Sequence, residues 1–485
     1  MAAPLPNRIL REVVDIQCFG ESETLAARSQ VDQLCGELLT RALDELLGGW
    51  GVPDDQLISI DRLEVEVAGL ASRDLDSRLV PRIIEALRIQ LTNKVGVPGS
   101  FKAEAARPIR RSLLQQLLFF LERGCLPWST RADTAWAGAV SELLARLDET
   151  ELHQLRETLQ QAPARLRLAR HFPREVFHHI LPQLWTDREA RELLEDIVRI
   201  VASFEGRTDR AQVTERILDT LLECAVDAFA PTEIQAALEL LIFELVAERS
   251  ISVAVFEQVT SPRMREIVSS ARRAVAAGTT RPAPGNRQSG KPPRARGRER
   301  APNQIRGADE IASPRDAADR EETIYIANGG LVIVAPYLPA FFRKLDLLEE
   351  ERVRDLPTAL SLLHYIVFGS DECAEWDFVL GKILCGVPIE TAIETAPPLS
   401  DEQKAEANLL LEAVITNWTA LKNTSPDALR TTFLQREGAL SREQEHWRLR
   451  LTRTAYDVLV DHLPWTISMI QLSWMPWVLK MDWAD

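Results

Sequence analysis

The sequence is poor in the residues from which most chemical sites are built. Seven histidines, six cysteines, five methionines and four tyrosines are spread through 485 residues. The cysteines, Cys18, Cys35, Cys125, Cys224, Cys373 and Cys385, form no C-x-x-C pair, so no zinc knuckle or redox dithiol is written locally. Most have apolar neighbours, as in Lys382-Ile-Leu-Cys385, and read as reduced, buried thiols. The dinucleotide fingerprint G-x-G-x-x-G, the nucleophile elbow G-x-S-x-G and the metalloprotease signature H-E-x-x-H are all missing. Gly381-Lys382 lacks the glycine spacing of a phosphate loop, and no Ser or Thr follows the lysine. No apolar run reaches the roughly 18 residues of a membrane span. The nearest, Leu463 to Leu479, is broken by Thr466, Ser468, Gln471, Ser473 and two prolines. The opening MAAPLPNRILREVVD has no apolar core of signal-peptide length. The expectation is a chain made and kept in the cytoplasm.

Composition is that of an ordinary globular chain, with 46% hydrophobic and 27% charged residues. The length predicts about two to four domains. A net charge of −15 argues against coating nucleic acid or an anionic membrane. The charge is uneven. From Arg263 to Arg306 twelve Lys/Arg stand against two Asp/Glu, a net +10, which leaves −25 on the remainder. This stretch has the charge to neutralise phosphates but no interleaved aromatics to stack bases. A solvated tether is the first reading, and nucleic-acid binding through it is an alternative.

The pattern along the chain predicts a mainly α protein with small β elements, an α+β fold in four parts. Residues 1–100 form an N-terminal α/β unit, with strands at Glu12–Phe19 and Leu57–Val67 and helices at Glu21–Leu47 and Leu75–Leu91. Gly48, Gly49 and Gly51 stop the first helix. Residues 101–275 are a helical bundle, with helical patterns at 137–159, 187–203, 210–228 and 232–248 between prolines. Residues 276–321 are a disordered basic linker rich in Pro, Gly and Arg, with too little apolar surface to offset its ordering entropy. Residues 322–485 form a C-terminal α+β domain. It has strands at Thr323–Ile326 and Gly330–Ala335, and helices at Leu338–Leu348, Ala359–Phe368, Phe378–Leu384, Asp401–Ala420 and Glu443–Leu463. Its β-like end runs from Thr466 to Trp483.

Few side chains invite a chemical reading. His171, His178 and His179 lie near one another in sequence, with Glu175 as the one nearby carboxylate, and read as helix surface and helix end. Cys373 and Cys385 with His364 could be imagined as nucleophile and base, but the apolar run around Cys385 would raise its pKa. Asp457 and Asp461, at i,i+4, lie on one helix face as paired carboxylates can, where a solvated face or a cap is the common explanation. No catalytic, metal or cofactor residue is assigned. Trp465, Trp474, Trp477 and Trp483 are the most unusual local feature. Core packing is their first reading and anchoring of a partner the second. Arg436, Trp465, Trp474 and Trp477 are the candidate partner contacts.

Several blocks carry a resemblance. In the C-terminal part they include Asn328-Gly-Gly-Leu-Val-Ile-Val-Ala-Pro336-Tyr-Leu-Pro339, Ala359-Leu-Ser-Leu-Leu-His364-Tyr-Ile-Val-Phe-Gly369 and Leu380-Gly-Lys382-Ile-Leu-Cys385-Gly386-Val-Pro388. Further on come Leu411-Glu-Ala-Val-Ile-Thr-Asn-Trp418, Phe433-Leu434-Gln435-Arg436-Glu-Gly438 and Leu463-Pro464-Trp465-Thr-Ile-Ser468. The N-terminal half adds Ile60-Asp-Arg-Leu63-Glu64-Val65 and Phe119-Phe-Leu-Glu-Arg-Gly124-Cys-Leu-Pro127-Trp128. In this order the blocks resemble the tape-measure proteins of extracellular contractile injection systems, relatives of phage tails.

The resemblance implies a non-enzymatic assembly protein that sets inner-tube length, contacts the inner tube, the baseplate or hub and a cargo effector, and enters the tube lumen. An assembly chaperone or cargo adaptor of the same machine is the alternative. As one helix, 485 residues would span roughly 730 Å. The prolines, the linker and the Trp-rich end exclude such a continuous helical ruler.

Overall fold

The computed structural model describes residues 9, 14, 30–31, 34–53, 56–58, 60, 62–70, 74–102, 106–127, 130, 134–185, 197, 211–227, 231–247, 262–276, 323–422, 424–443 and 446–484. The expected strand Glu12–Phe19, the start of the helix at Glu21, the helix 187–203 and the linker 276–321 lie, isolated residues aside, outside the described residues. The chain divides into two compact units, Met1–Gln116 and Leu117–Asp485.

In the first unit a π-turn, Cys35–Leu39, runs into α1 (Thr40–Gly48). Gly49 ends it, its N–H returning to the carbonyls of Glu45 and Leu47. There follow β1 (Gln56–Ile58), α2 (Leu75–Val95), β2 (Gly96–Val97), β3 (Ser100–Phe101), β4 (Ala106–Pro108) and the start of α3 (Ile109–Arg123). β1 pairs antiparallel with β4, and β2 with β3. Val31, Leu34 and Leu79 form one small core, and Leu46, Trp50 and Leu91 another. The strand expected over Leu57–Val67 is paired only at Gln56–Ile58. Beyond it Leu63, Val65 and Val67 are still half-buried, with Glu64 and Glu66 exposed between them. Alternation foretells which side chains turn inward. A strand also needs a neighbour's N–H and C=O groups, which alternation does not supply.

In the second unit the pattern expected over 137–159 divides into α4 (Thr134–Leu144) and α5 (Glu149–Leu159). The break is local chemistry. Asp148 accepts from the Glu151 N–H at 2.8 Å, and Glu151 Oε2 accepts from the Asp148 N–H at 2.9 Å, a reciprocal N-terminal cap. Pro163 starts α6 (Ala162–His171), and Pro173 precedes α7 (Arg174–Leu184). α8 (Ala211–Val226) packs on α6 and on α9 (Pro231–Ala247), which packs on α10 (Pro262–Ala276).

The remainder of the second unit opens with β5 (Ile324–Ile326). A 3-10 segment Gly329–Tyr337 and α11 (Leu338–Lys344) follow, then the β6 (Leu348–Glu349) and β7 (Arg352–Val353) hairpin. Next come α12 (Leu356–Phe368), a 3-10 turn Glu375–Phe378, α13 (Val379–Leu384), α14 (Asp401–Asn417) and α15 (Pro426–Leu429). The chain ends with β8 (Gly438–Glu443), β9 (His446–Thr452), a 3-10 segment Ala455–His462, β10 (Met469–Ile470) and β11 (Val478–Ala484). One sheet of order β10-β11-β9-β8-β5 results. It is antiparallel except where β11 lies parallel to β9.

Two expectations are corrected here. Glu443–Leu463 is not a helix but a β-hairpin strand followed by a 3-10 segment. Trp447, Leu449 and Leu451 are buried with His446, Arg448 and Arg450 between them, a period of two that the density of leucine and arginine masked. Gly330–Ala335 is not a strand but 3-10 helix, buried at every residue from Gly329 to Ala335. A segment covered on all sides has no wet face, so its apolar run carries no period.

Gly330 shows how tightly that segment is enclosed. A Cβ placed there would lie 1.7 Å from the Phe433 carbonyl oxygen, which is backbone and cannot swing aside. Gly138, exposed within α4, has nothing within 4 Å of the same position. Gly330→Ala is expected to cost more than about 3 kcal/mol or to prevent folding, and Gly138→Ala to gain up to about 1 kcal/mol. Urea midpoints of the two variants check both signs.

Candidate functional site

The tryptophans near the C-terminus staple the core through their indole N–H groups. α13 is six residues long and ends at Gly386, whose φ of +75° closes the helix. The Gly386 N–H returns to Ile383 at 3.1 Å and the Val387 N–H to Lys382 at 3.0 Å, the paired bonds of a Schellman stop. Trp474 donates to the Leu384 carbonyl at 2.8 Å, and Trp477 to that of Ile383 at 3.2 Å. One indole thus serves the Leu384 carbonyl at the helix end, and the other shares the Ile383 carbonyl with the Gly386 N–H. Trp465 donates to Ile333 at 3.1 Å and stands edge-on to Tyr337 at 5.3 Å. Trp474 is buried, and Trp465 and Trp477 are half-buried.

Arg436 is also engaged within the fold. Its two terminal nitrogens donate to the two carboxylate oxygens of Asp457 at 2.6 and 2.8 Å, and one donates to the Thr452 carbonyl at 2.7 Å. The guanidinium lies 5.6 Å from the Trp483 ring, and the Trp483 indole donates to Asp457 at 3.0 Å. Burial pushes the Asp457 carboxyl up, but Arg436, the Thr454 N–H and the Trp483 indole outweigh it and hold the pKa below the usual value. Asp457 and Asp461 do not share a face. At three residues per turn they diverge, Asp457 turning inward while Asp461 pairs with Arg453 in the open.

A second cluster carried no sequence signal. Arg167 on α6, Glu375 on the 3-10 turn and Lys382 on α13 are almost fully buried. Glu375 Oε1 accepts from Arg167 Nε at 3.0 Å and from Lys382 Nζ at 2.7 Å. Arg167 also donates to the Leu121 and Glu122 carbonyls at 2.7 and 3.0 Å, a cation at the C-terminal end of α3. Burial lowers the Lys382 pKa, and Glu375 opposes that shift. His171 ends α6 but is not on the surface. Its side chain lies against Phe120 and Trp376, with Nε2 4.0 Å from Glu375 Oε2, while burial and the nearby arginines pull its pKa well down. His178 and His179 are exposed on α7, away from this cluster's shared contacts.

The described thiols are buried or half-buried. Burial pushes Cys125 to about 11 and Cys224 to about 12, and raises Cys373 and Cys385 as well. Burial lowers His364 to about 4. No group of three or more His, Cys, Asp or Glu among the described residues could hold a metal ion. No helix among them is long and apolar enough to cross a membrane.

A family described as contractile injection system tape measure protein matches residues 6–483. The chain belongs to this family. Characterised proteins and solved structures give no match. A tape measure protein is a structural component of an injection particle, associated with its tube and baseplate. The family assignment thus came from ordered blocks of sequence. The buried Arg167–Glu375–Lys382 cluster stayed hidden, because Arg167 lies 208 residues before Glu375 and each member looks like an ordinary surface charge.

One further carboxylate in this tape measure chain joins α8 to the C-terminal part. Glu215 accepts from the Thr395 N–H at 3.3 Å and from the Thr395 hydroxyl. Burial raises its pKa to about 7, against the pull of Arg170 and the Thr395 N–H. A carboxyl raised on folding contributes stability that is complete below its unfolded value of 4.5 and lost as pH rises through about 7.

Two predictions follow from these charges. Glu375→Gln leaves two buried cations without their anion and is expected to cost about 3–5 kcal/mol, whereas Lys382→Met leaves Glu375 with Arg167 and costs less than half as much. Denaturant midpoints of the two variants decide the order. Wild-type stability relative to Glu215→Gln should fall by up to about 3 kcal/mol between pH 4.5 and 7. The difference is the proper readout, since buried His364 acts with the opposite sign between pH 4 and 6.5.

Proposed function

We propose that this tape measure chain sets inner-tube length as a folded protein seated at the tube start, contacting tube and baseplate through its C-terminal part. The family assignment supports the assembly role. The observation that carries the folded form is helix length. The longest described helix, α2, has 21 residues, about 32 Å of rise. The others are shorter and turn back on one another.

For the contact we propose the face around Trp465. Arg436 and Trp474 act through it by holding it in place. The 3-10 segment Ala455–His462 turns Tyr456 and Val458 outward at 66% and 63% exposure. Its Leu459 carbonyl accepts from the Trp418 indole, and the neighbouring Asn417 bonds the Tyr337 hydroxyl, beside the Trp465 ring. Tyr456 and Val458 are exposed on this segment, and Tyr337 and Trp465 are half-buried against each other. Exposed aromatic residues backed by a rigid core are the usual anchors of a protein interface. Trp477, half-buried beside Trp474, extends the same support.

Electron microscopy of particles from cells carrying insertions or deletions in residues 137–320 tests the role. A helical insertion of about 60 residues adds about 90 Å to the tube if the chain measures it stretched. Length independent of chain length, with normal assembly, is the result expected of a folded protein at the tube start, and tubes of normal length in its absence would favour an assembly chaperone or cargo adaptor instead. Tyr456→Ser with Val458→Ser should lower particle number without lowering the stability of the purified chain. Normal particle numbers would remove that face from the proposal.

A further inference from the structure

Between α13 and α14 the chain crosses 14 residues without helix or strand, Val387 to Ser400. Pro388 stands at one end of this strap and Pro397-Pro398 at the other. Prolines donate no N–H and fix φ, so the strap has stiff ends and cannot extend into a ladder. Its carbonyls are instead held by side chains. Lys382 donates to Ile389 at 2.8 Å, and Arg167 donates to Glu390. Arg170 reaches Ile393 at 2.6 Å and Glu394 at 3.2 Å, and Gln212 reaches Thr395 at 2.7 Å. Arg167 and Arg170 come from α6, and Gln212 and Glu215 from α8. Only Ile389, Ile393 and Leu399 of the strap are buried apolar anchors.

We propose that residues 389–395 are a latch that holds the helical layer α3–α8 against the C-terminal part, and that it opens as one step while the C-terminal core stays folded. The attachment combines packing with discrete grips: Phe120, Trp136 and His171 pack their rings on Trp376, Glu375 holds Arg167, and the strap adds the rest. A few side-chain donors from two helices grip successive carbonyls of one strap. Such bonds contribute about 1 kcal/mol each, more when charged, and opening also frees Arg167 from Glu375, which together still amounts to less than unfolding the core beneath. The apolar core beneath is packed by its own side chains. α12, α13 and the segment Gly329–Tyr337 are packed around Leu331, Leu360, Leu363 and Leu380, all buried. Its use in assembly rests on the role proposed above, letting the helical layer change neighbours while the C-terminal part keeps its seat.

The protein carries its own reporters. Cys125 belongs to the helical layer but is buried at 1% exposure in the C-terminal core, so release of the layer uncovers it. Cys385 closes α13 inside that core, so its exposure requires the core to unfold. The purified full chain is pulsed with a thiol reagent across a range of sub-denaturing urea, and labelling is read peptide by peptide in a mass spectrometer. Cys125 should label at least tenfold faster than Cys385 and with a weaker urea dependence. Arg170→Gln with Gln212→Ala should speed Cys125 further and leave Cys385 unchanged. Equal rates with equal urea dependence for the two wild-type thiols would overturn the latch, and this holds even if the double variant does not fold. The labelling involves no particle, so its failure is separate from failure of the assembly role.

Discussion

The second unit depends on one buried carboxylate. Glu375 brings a negative charge to a place where Arg167 and Lys382 would otherwise be two desolvated cations. Moving such ions out of water costs several kcal/mol each, and their attraction in the interior offsets this only when geometry and hydrogen bonding are complete. Here they nearly are. Arg167 spends its donors on Glu375 and three carbonyls, and Lys382 adds Ile389. The gain is positional more than energetic. The same side chain that reaches Glu375 also ties down the end of α3 and the strap, so three segments meet in one arrangement. Gly124 fits because a Cβ there would lie 2.5 Å from Glu375 Oε1 and 2.7 Å from Arg167.

The C-terminal part follows the same rule with indoles in place of cations. Short helices leave a large share of their carbonyls unpaired. α13 has only six residues, so the open carbonyls at its end are a large part of the element. Trp474 and Trp477 supply donors while adding apolar surface to the core. Aromatic enrichment near the chain end therefore has a structural cause before any partner is considered. Tyr456 and Val458 are among the exposed large apolar side chains of this part.

What was legible in the sequence follows from how local each cause is. The helices over 75–95, 211–226 and 231–247 declare themselves through periodicity, and the stop at Gly386 through glycine chemistry. The hairpin strand His446–Thr452 alternates plainly, yet its leucines and arginines also fit a helix, and only its partners β8 and β11 decide. Gly329–Tyr337 offers no period because no side of it is wet. The family was readable because blocks stand in order at 60–65, 119–128 and between 328 and 468, although the linker and much of 137–270 carry none. The candidate contacts divide by environment. Arg436 pairs inward with a carboxylate 21 residues away, which sequence cannot foretell.

Geometry also limits how such a chain could measure anything. Residues 276–321, fully extended, span at most about 160 Å. The described helices add little end to end while they stay folded against one another. A chain acting as a stretched ruler must therefore first separate its helical layer from the C-terminal part. That separation has to break the strap contacts, where side chains of α6 and α8 reach the carbonyls of 389–395, together with the Arg167–Glu375 pair and the rings packed on Trp376. If the strap holds, length must come from elsewhere, such as the number of copies or the partners recruited at the tube start. The strength of one side-chain latch thus separates the two ways in which a compact protein could govern a long tube.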